Sequence, residues 1–364
     1  MEASVNTTRR RELVYLGWQD NANFGDELIY DYWKAALDAP LDATAPLSLG
    51  RYLVKEAAAF IPSRIRLMGS ERAILLGGGT TVGFGTWAEH AKLAQRMFGA
   101  KRMFAAGAGA AEVGDAFTLD RQPHDWQAWR EIAGFDLLGV RRPLTASACA
   151  AELRPSPVIG DPALGYPAVV ELSPRRRESI GLCLGSEGSS RFNVAEVARG
   201  VKDAAERMNA GIVLFQMTDA DAPVNDALRG VLGDVPVEQF SGDVLGMMNA
   251  IAGTRAFVSE RLHGTVAAVA AGVAATPLAY ASKCDDFWLS VTGERTSLQT
   301  SSTAAEITSA VLASTDERSL GHIAGRVAEH QRTLAEAASR IRGWLDGEDR
   351  PLVPAVAAAR GEAA

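Results

Sequence analysis

Cysteine is scarce in this chain. Cys149, Cys183 and Cys284 are the only three in 364 residues, and no two lie close in sequence. That excludes a disulfide framework and a cysteine-rich zinc site, and it suits a reducing cytosol. The five histidines are as scattered and show no metal-ligand spacing. Basic charge is not in excess. The net charge of −7 leaves no global field for nucleic acid or an anionic membrane surface, so any anion site must be local. There is no Walker A lysine motif and no Gly-x-Ser-x-Gly elbow. Met1 to Arg11 is polar and ends in three arginines with no long apolar core behind it, which does not fit a secretory signal. Gly264 to Ser282 is uncharged and nearly long enough to span a bilayer. It is rich in Ala and Gly and broken at Thr276-Pro277, so it reads as helix, turn and strand inside a soluble core.

What is present is a core-forming α/β chain. Hydrophobic residues make up 47% and charged residues 22%, enough apolar material for two domains at this length. Continuous apolar runs predict strands at Leu13–Gly17, Ala73–Leu76, Lys101–Ala106, Asp136–Val140 and Ser156–Ile159, with a helix over Asp26–Leu37. The pattern resumes with strands at Ser179–Leu184, Gly211–Met217, Val235–Phe240, Ala256–Ser259 and Thr276–Tyr280. Helices are predicted between them over Val194–Met208, Asp221–Leu232 and Val244–Ile251, and from Thr265 to Ala271. The fold class is therefore α/β, with two Rossmann-like domains whose parallel sheets face each other across a cleft. We place an N-terminal domain at 1–165, a linker at 166–178, a C-terminal domain at 179–318 and a tail at 348–364. A last helix over 319–347 carries Ile323, Val327, Leu334, Ile341 and Leu345 on one face, fit to pack across the domain seam.

Polar signals gather where strands meet helices. Ser259-Glu260-Arg261-Leu262-His263-Gly264 follows an apolar run and opens an Ala/Gly/Val-rich helix. A strand's carboxyl edge is where open α/β sheets bind ligands, and a helix start offers free N–H groups to an anion. Arg261 supplies a forked permanent cation, and His263 a group that can gain or lose a proton near neutrality. Lys283 follows the next strand, and Arg191 lies behind Gly185 to Gly188. In the first half, Asn23 can cap the helix after strand one. Gly25, Asp26 and Glu27 follow it, and the two carboxylates could bind sugar hydroxyls or act as a general base. Gly77-Gly78-Gly79-Thr80 permits either close ligand approach or a tight turn. Arg141 can reach the cleft or pair with a surface acid, and Gly160-Asp161-Pro162 reads as a turn. His90, His124, His322 and His330 read as structural or exposed.

Asn-Phe-Gly-Asp-Glu, Leu-Gly-Gly-Gly-Thr, Gly-Val-Arg-Arg, Gly-Asp-Pro-Ala, Ser-Glu-Arg-Leu-His-Gly and the trailing Lys283 occur here in the order known from one family. Over roughly Leu13 to Trp288 the chain resembles polysaccharide pyruvyl transferases. The resemblance implies a glycosyltransferase-B-like fold, phosphoenolpyruvate as co-substrate and no other cofactor or metal. The acceptor would be a hexose of a cell-surface polysaccharide or its lipid-linked precursor, ketalised on two hydroxyls with release of phosphate. It implies donor binding by Arg261, Leu262 and Gly264, joined by Lys283 and, as the nearest match to an early second-domain arginine, Arg191. It makes His263 the acid/base residue, with Asp26 or Glu27 as its counterpart across the cleft. Acceptor contacts fall to Asn23, Gly25, Gly78, Gly79, Thr80 and Arg141. The setting implied is cytoplasmic, at the inner face of the membrane where the acceptor is membrane-bound. No nucleic-acid partner is implied, and a homo-oligomer is compatible. A sugar-nucleotide glycosyltransferase or epimerase, or a non-catalytic glycan-binding module, could share the architecture.

Overall fold

The computed structural model describes residues 10–39, 41, 69–110, 124–185 and 189–348. The polar segment 1–9 and all of the expected tail beyond Glu348 lie outside the described residues. The first half runs β1 (Arg11–Leu16), α1 (Phe24–Leu37), β2 (Glu71–Leu76), α2 (Gly85–Phe98), β3 (Arg102–Ala108), α3 (Trp126–Arg130), β4 (Phe135–Val140), α4 (Pro143–Glu152) and the short α5 (Tyr166–Val169). The second runs β5 (Ser179–Cys183), α6 (Val194–Met208), β6 (Gly211–Gln216), α7 (Ala222–Leu232), β7 (Val237–Gln239), α8 (Val244–Ala252), β8 (Ala256–Ser259), α9 (Leu262–Ala270) and β9 (Ala274–Pro277). Helices α10 (Ser282–Thr292), α11 (Ala304–Ser314) and α12 (Glu317–Leu345) complete it.

All strand pairs are parallel, as the continuous apolar runs require for strands covered on both faces. The first sheet has the order β1-β2-β3-β4, and the second β7-β6-β5-β8-β9. Register lines up Leu16 with Leu76 and Leu76 with Ala105, so the glycine segments that follow leave the first sheet at one edge. In the second sheet Cys183 lies opposite Ser259, and Ser259 opposite Pro277. Strand order reverses between β5 and β8, the place where a doubly wound sheet opens a crevice at its carboxyl edge.

Two predicted strands differ. The segment Ser156–Ile159 keeps one parallel bridge, Val140 to Val158, because Pro155 and Pro157 have no N–H to extend a ladder. The strand expected at Thr276–Tyr280 lies earlier, at Ala274–Pro277. Helix α9 stops at Ala270, and Gly272 turns the chain at φ 73°, so the strand starts before the proline and the proline ends it.

Helix α12 passes from the second half to the first. Near its start Arg326 donates to the Ser290 carbonyl at 3.3 Å. Further on, Gln331 donates to the Leu164 carbonyl and Thr333 to that of Ile159, each at 3.0 Å. Near its end Trp344 packs edge-on against Phe104, 5.3 Å between rings, under the Arg11 guanidinium. One apolar cluster therefore runs through both halves, from Leu13, Tyr15 and Phe24 to Phe215, Phe257 and Trp344. Each large side chain fully buried there contributes about 1.5–3 kcal/mol. The stretch 166–178 between the halves opens with α5 and continues without regular structure to β5. Among the described residues no helix is long and apolar enough to cross a membrane.

Candidate active site

The carboxyl edges of the two sheets enclose a cavity of about 390 Å³. On the second-half bank, Arg261 lies two residues past β8 and is the N-cap of α9 in an extended conformation. Its Nε donates to Asp221 Oδ1 at 3.2 Å and its Nη2 to Thr218 Oγ1 at 3.2 Å, with a further Nη2 bond to Asp221. Asp221 is fully buried, and its Oδ2 accepts from the backbone N–H groups of Met217 and Thr218 at 3.1 and 3.2 Å. Burial opposes the Arg261 charge, but the Asp221 carboxylate outweighs it and holds the guanidinium above its ordinary pKa.

His263 stands in the first turn of α9 with 17% of its side chain exposed. Its Nε2 lies 3.7 Å from Asp161 Oδ2, too far for a hydrogen bond, and has no hydrogen-bond partner among the described residues. Burial first, then the charges of Arg141, Lys283 and Arg142, pull its pKa down to about 4 against the opposing Asp161, so the ring is neutral at neutral pH. The other face explains Gly25. A Cβ there would overlap the imidazole, so only glycine lets the start of α1 reach the ring. Burial, followed by Arg141, Arg142 and Arg261, lowers Lys283 to about 7, with Cys284 opposing. Burial raises Asp26 to about 7, with Glu27 and Asp161 adding and Lys283 and Arg141 opposing.

On the first-half bank Arg141 directly follows β4 and is only 1% exposed. Its Nη1 donates to Asp161 Oδ2 at 3.1 Å and its Nη2 to Thr80 Oγ1 at 2.7 Å, while Nε makes no hydrogen bond among the described residues. The other oxygen of Asp161 accepts from Ala163 N–H at 3.1 Å and starts the turn Pro162–Gly165. A Cβ on Gly109 would come within 2.7 Å of Arg142 and 2.8 Å of Arg141, so this glycine clears space for two guanidinium groups.

The banks are fastened to each other. Phe24 N–H donates to the Met217 carbonyl at 3.1 Å. Arg142, fully buried, donates to the Lys283 carbonyl and lies 3.4 Å from Asp286 Oδ2, whose partner oxygen accepts from Leu144 N–H at 2.9 Å. The start of α10, which carries Lys283, is thus tied to the start of α4.

Of the residues singled out in the sequence, His263, Asp26, Arg261, Leu262, Lys283, Asn23, Gly25, Gly78, Gly79, Thr80 and Arg141 line the cavity. Three do not. Glu27 turns away, its Oε1 accepting from Asp20 N–H at 2.6 Å. Gly264 is buried beside Ser259 and Met217, where a Cβ would overlap Ser259 Oγ. Arg191 is exposed, and only its backbone turns inward, donating to Glu260 Oε1 at 2.7 Å while Gly185 N–H donates to Oε2 at 3.0 Å. Residues 186–188 between them lie outside the described residues. The sequence reading missed the partners Asp161, Asp221 and Thr218 and the wall residues Trp18, Asn21 and Trp87. Asp161 carried a signal, an acid just past a strand end, but it read as a turn; Asp221 read as a helix start.

Several solved structures share this architecture. They include a putative UDP-N-acetylglucosamine 2-epimerase from Listeria monocytogenes, with a TM-score of 0.62 and 13% identity, covering 94% of this chain and 98% of that one. The Neisseria meningitidis UDP-GlcNAc 2-epimerase bound to UDP-GlcNAc gives 0.54 and 10%, covering 93% and 100%. The Methanocaldococcus jannaschii UDP-GlcNAc 2-epimerase gives 0.53 and 8%, covering 85% and 93%. At such identities the likeness shows the fold, two Rossmann-like domains of the glycosyltransferase-B type. Among curated protein sequences none matches. The family model described as polysaccharide pyruvyl transferase matches residues 23–282, from the Asn23 cap to the residue before Lys283. Most of the cleft lining, Asp26, Arg141, Arg261 and His263 included, falls within that span, and the chain belongs to the polysaccharide pyruvyl transferase family, a family of transferases.

Proposed function

We propose that this protein transfers the enolpyruvyl group of phosphoenolpyruvate to two hydroxyls of one hexose in a cell-surface glycan or its lipid-linked precursor, leaving a cyclic pyruvate ketal and inorganic phosphate. The observation that carries the reading is the convergence of Arg141, Arg261 and Lys283 on one cavity beside an imidazole kept neutral. A small donor bearing phosphate and carboxylate matches three cations at close quarters better than a neutral sugar does.

The chemistry follows from the resting charges. One hydroxyl of the acceptor adds to the donor's substituted carbon while the methylene carbon takes a proton and becomes a methyl group. The C–O bond to phosphate then breaks, and the second hydroxyl closes the ring. Two protons leave the sugar; one ends on the methyl group and one on phosphate. His263, neutral at rest, is suited to accept the hydroxyl proton. Asp26, raised to about 7, holds a proton for much of the time at neutral pH and is suited to deliver it to the methylene carbon. The bound donor's negative charge favours the protonated forms of His263, Lys283 and Asp26, so the site gains proton-donating capacity when loaded. Arg261 and Lys283 steady the departing phosphate, and Arg141 holds the carboxylate.

Calorimetric titration of wild type, Arg261→Lys and Arg261→Ala with phosphoenolpyruvate and with UDP-sugars tests the reading. Phosphoenolpyruvate binding to wild type, weakened about tenfold or more in the variants, supports it. Binding of a UDP-sugar alone would transfer the protein to the sugar-nucleotide reading that shares this fold.

A further inference from the structure

The cavity lining is of two kinds. Arg141, Arg261 and Lys283 bring positive charge to it, together with His263 and Asp26. Trp18, Asn21, Asn23, Thr81 and Trp87 are uncharged. Trp18 belongs to the loop between β1 and α1 and is 39% exposed. The other large apolar side chains left exposed among the described residues, Val169, Val231 and Leu245, do not line the cavity. Trp18 thus offers the cavity an aromatic surface that is still open to solvent.

The loop that presents it is built rather than slack. Asp20 and Ala22 both hold positive φ, 64° and 51°, a region residues with a Cβ seldom occupy. Asn21 Nδ2 donates back to the carbonyls of Trp18 and Gln19, each at 3.0 Å. Asp20 N–H donates to Glu27 Oε1 at 2.6 Å, which ties the loop to the first turn of α1. Backbone held in uncommon conformations by specific bonds is characteristic of ligand clamps.

We infer that the Trp18 loop is the acceptor subsite: the indole stacks on the C–H face of the hexose ring, and Glu27 is a positioning residue that holds the loop in place. A hexose offers an apolar C–H face ringed by hydroxyls. It is matched by an aromatic plane in a cavity whose lining also includes the uncharged polar residues Asn21, Asn23 and Thr81. A charged donor goes to the cationic side chains, so the two substrates are sorted by charge. The inference rests on the transferase reading for the identity of the sugar as acceptor, but not for its binding.

The test is titration of methyl glycosides of glucose, galactose, mannose and N-acetylmannosamine, read by tryptophan fluorescence and calorimetry, on wild type, Trp18→Ala, Trp18→Phe, Glu27→Ala and Glu27→Gln. Phosphoenolpyruvate binding is measured on the same samples. At least one glycoside should bind wild type. Trp18→Ala and Glu27→Ala should weaken it tenfold or more with donor affinity unchanged. Trp18→Phe, which keeps a ring, and Glu27→Gln, which keeps an acceptor for Asp20 N–H, should restore most of it. Turnover, once an acceptor is in hand, should show the losses in acceptor KM rather than kcat. The inference is overturned if no glycoside binds wild type, if Trp18→Ala binds as well as wild type, or if UDP rather than a glycoside quenches Trp18. Loss of turnover in Glu27→Gln with glycoside binding intact would instead make Glu27 a catalytic acid or base. Failure of phosphoenolpyruvate to bind wild type would sink the transferase reading while leaving the sugar subsite standing.

Discussion

Arg141 and Arg261 occupy equivalent places on opposite banks of the cleft. Each lies just past a strand end, each lines the cavity, and each leans on a buried aspartate. The supports differ. Arg141 is 1% exposed and held on two sides, by Asp161 and Thr80. Arg261 keeps 18% of its side chain exposed and leans on Asp221 and Thr218, which lie on one neighbouring segment. The first-half arginine is therefore part of the protein's interior as much as of the site. The second-half arginine keeps a solvent-facing side for a ligand. Stability and binding should separate along that line.

The sharpest way to break the comparison is to neutralise each aspartate. Asp161→Asn leaves a buried guanidinium without its counter-charge and should cost about 3–5 kcal/mol, with a large drop in melting temperature and loss of turnover. Asp221→Asn should cost less, about 1–3 kcal/mol, because Arg261 retains Thr218 and water. Equal losses in the two melting curves would contradict the assigned difference.

Next in size is Gly25→Ala. Its Cβ must displace the His263 ring, so kcat should fall on the order of 10²-fold with the circular dichroism spectrum preserved. An unaffected kcat would mean that His263 needs no fixed place.

A smaller effect is expected from pH. With rising pH, Lys283 loses its positive charge and Asp26 gains a negative one, both around 7, and both changes repel an anion. Phosphoenolpyruvate affinity should therefore fall about tenfold or more between pH 7 and 9, where the donor's own phosphate is already ionised. Asp26→Asn should leave the shallower dependence due to Lys283. A flat profile in calorimetry would show that neither group titrates in the site.

The smallest effect belongs to Arg191. Exposed and outside the lining, its replacement by Ala should change donor affinity less than about twofold and stability by under about 0.5 kcal/mol. A large loss would return it to the donor site.

Much of this cleft was legible in the sequence because its signals are local. A short apolar run followed by Arg261 and His263 already places a cation and an imidazole at a strand edge. Asn23 before Phe24 already caps a helix, its side chain accepting from Gly25 N–H. The strand expected at Thr276–Tyr280 fell earlier because its boundary depended on where α9 stopped, which packing decides. Arg141, left open between the cleft and a surface acid, is resolved by Asp161, twenty residues on along the chain and in neither a helix nor a strand.

What the sequence by itself determined is the periodicity: which runs become buried parallel strands, and hence which residues stand at the sheets' carboxyl edges. The tertiary structure alone decided which of those residues meet. The Arg142–Asp286 pair, the contact of Gly25 with His263 and the leaning of Arg261 on Asp221 join segments that no local pattern relates. So does the lowering of His263 and Lys283. A side chain's charge state depends on the burial and the neighbouring charges that only the closed cleft brings together.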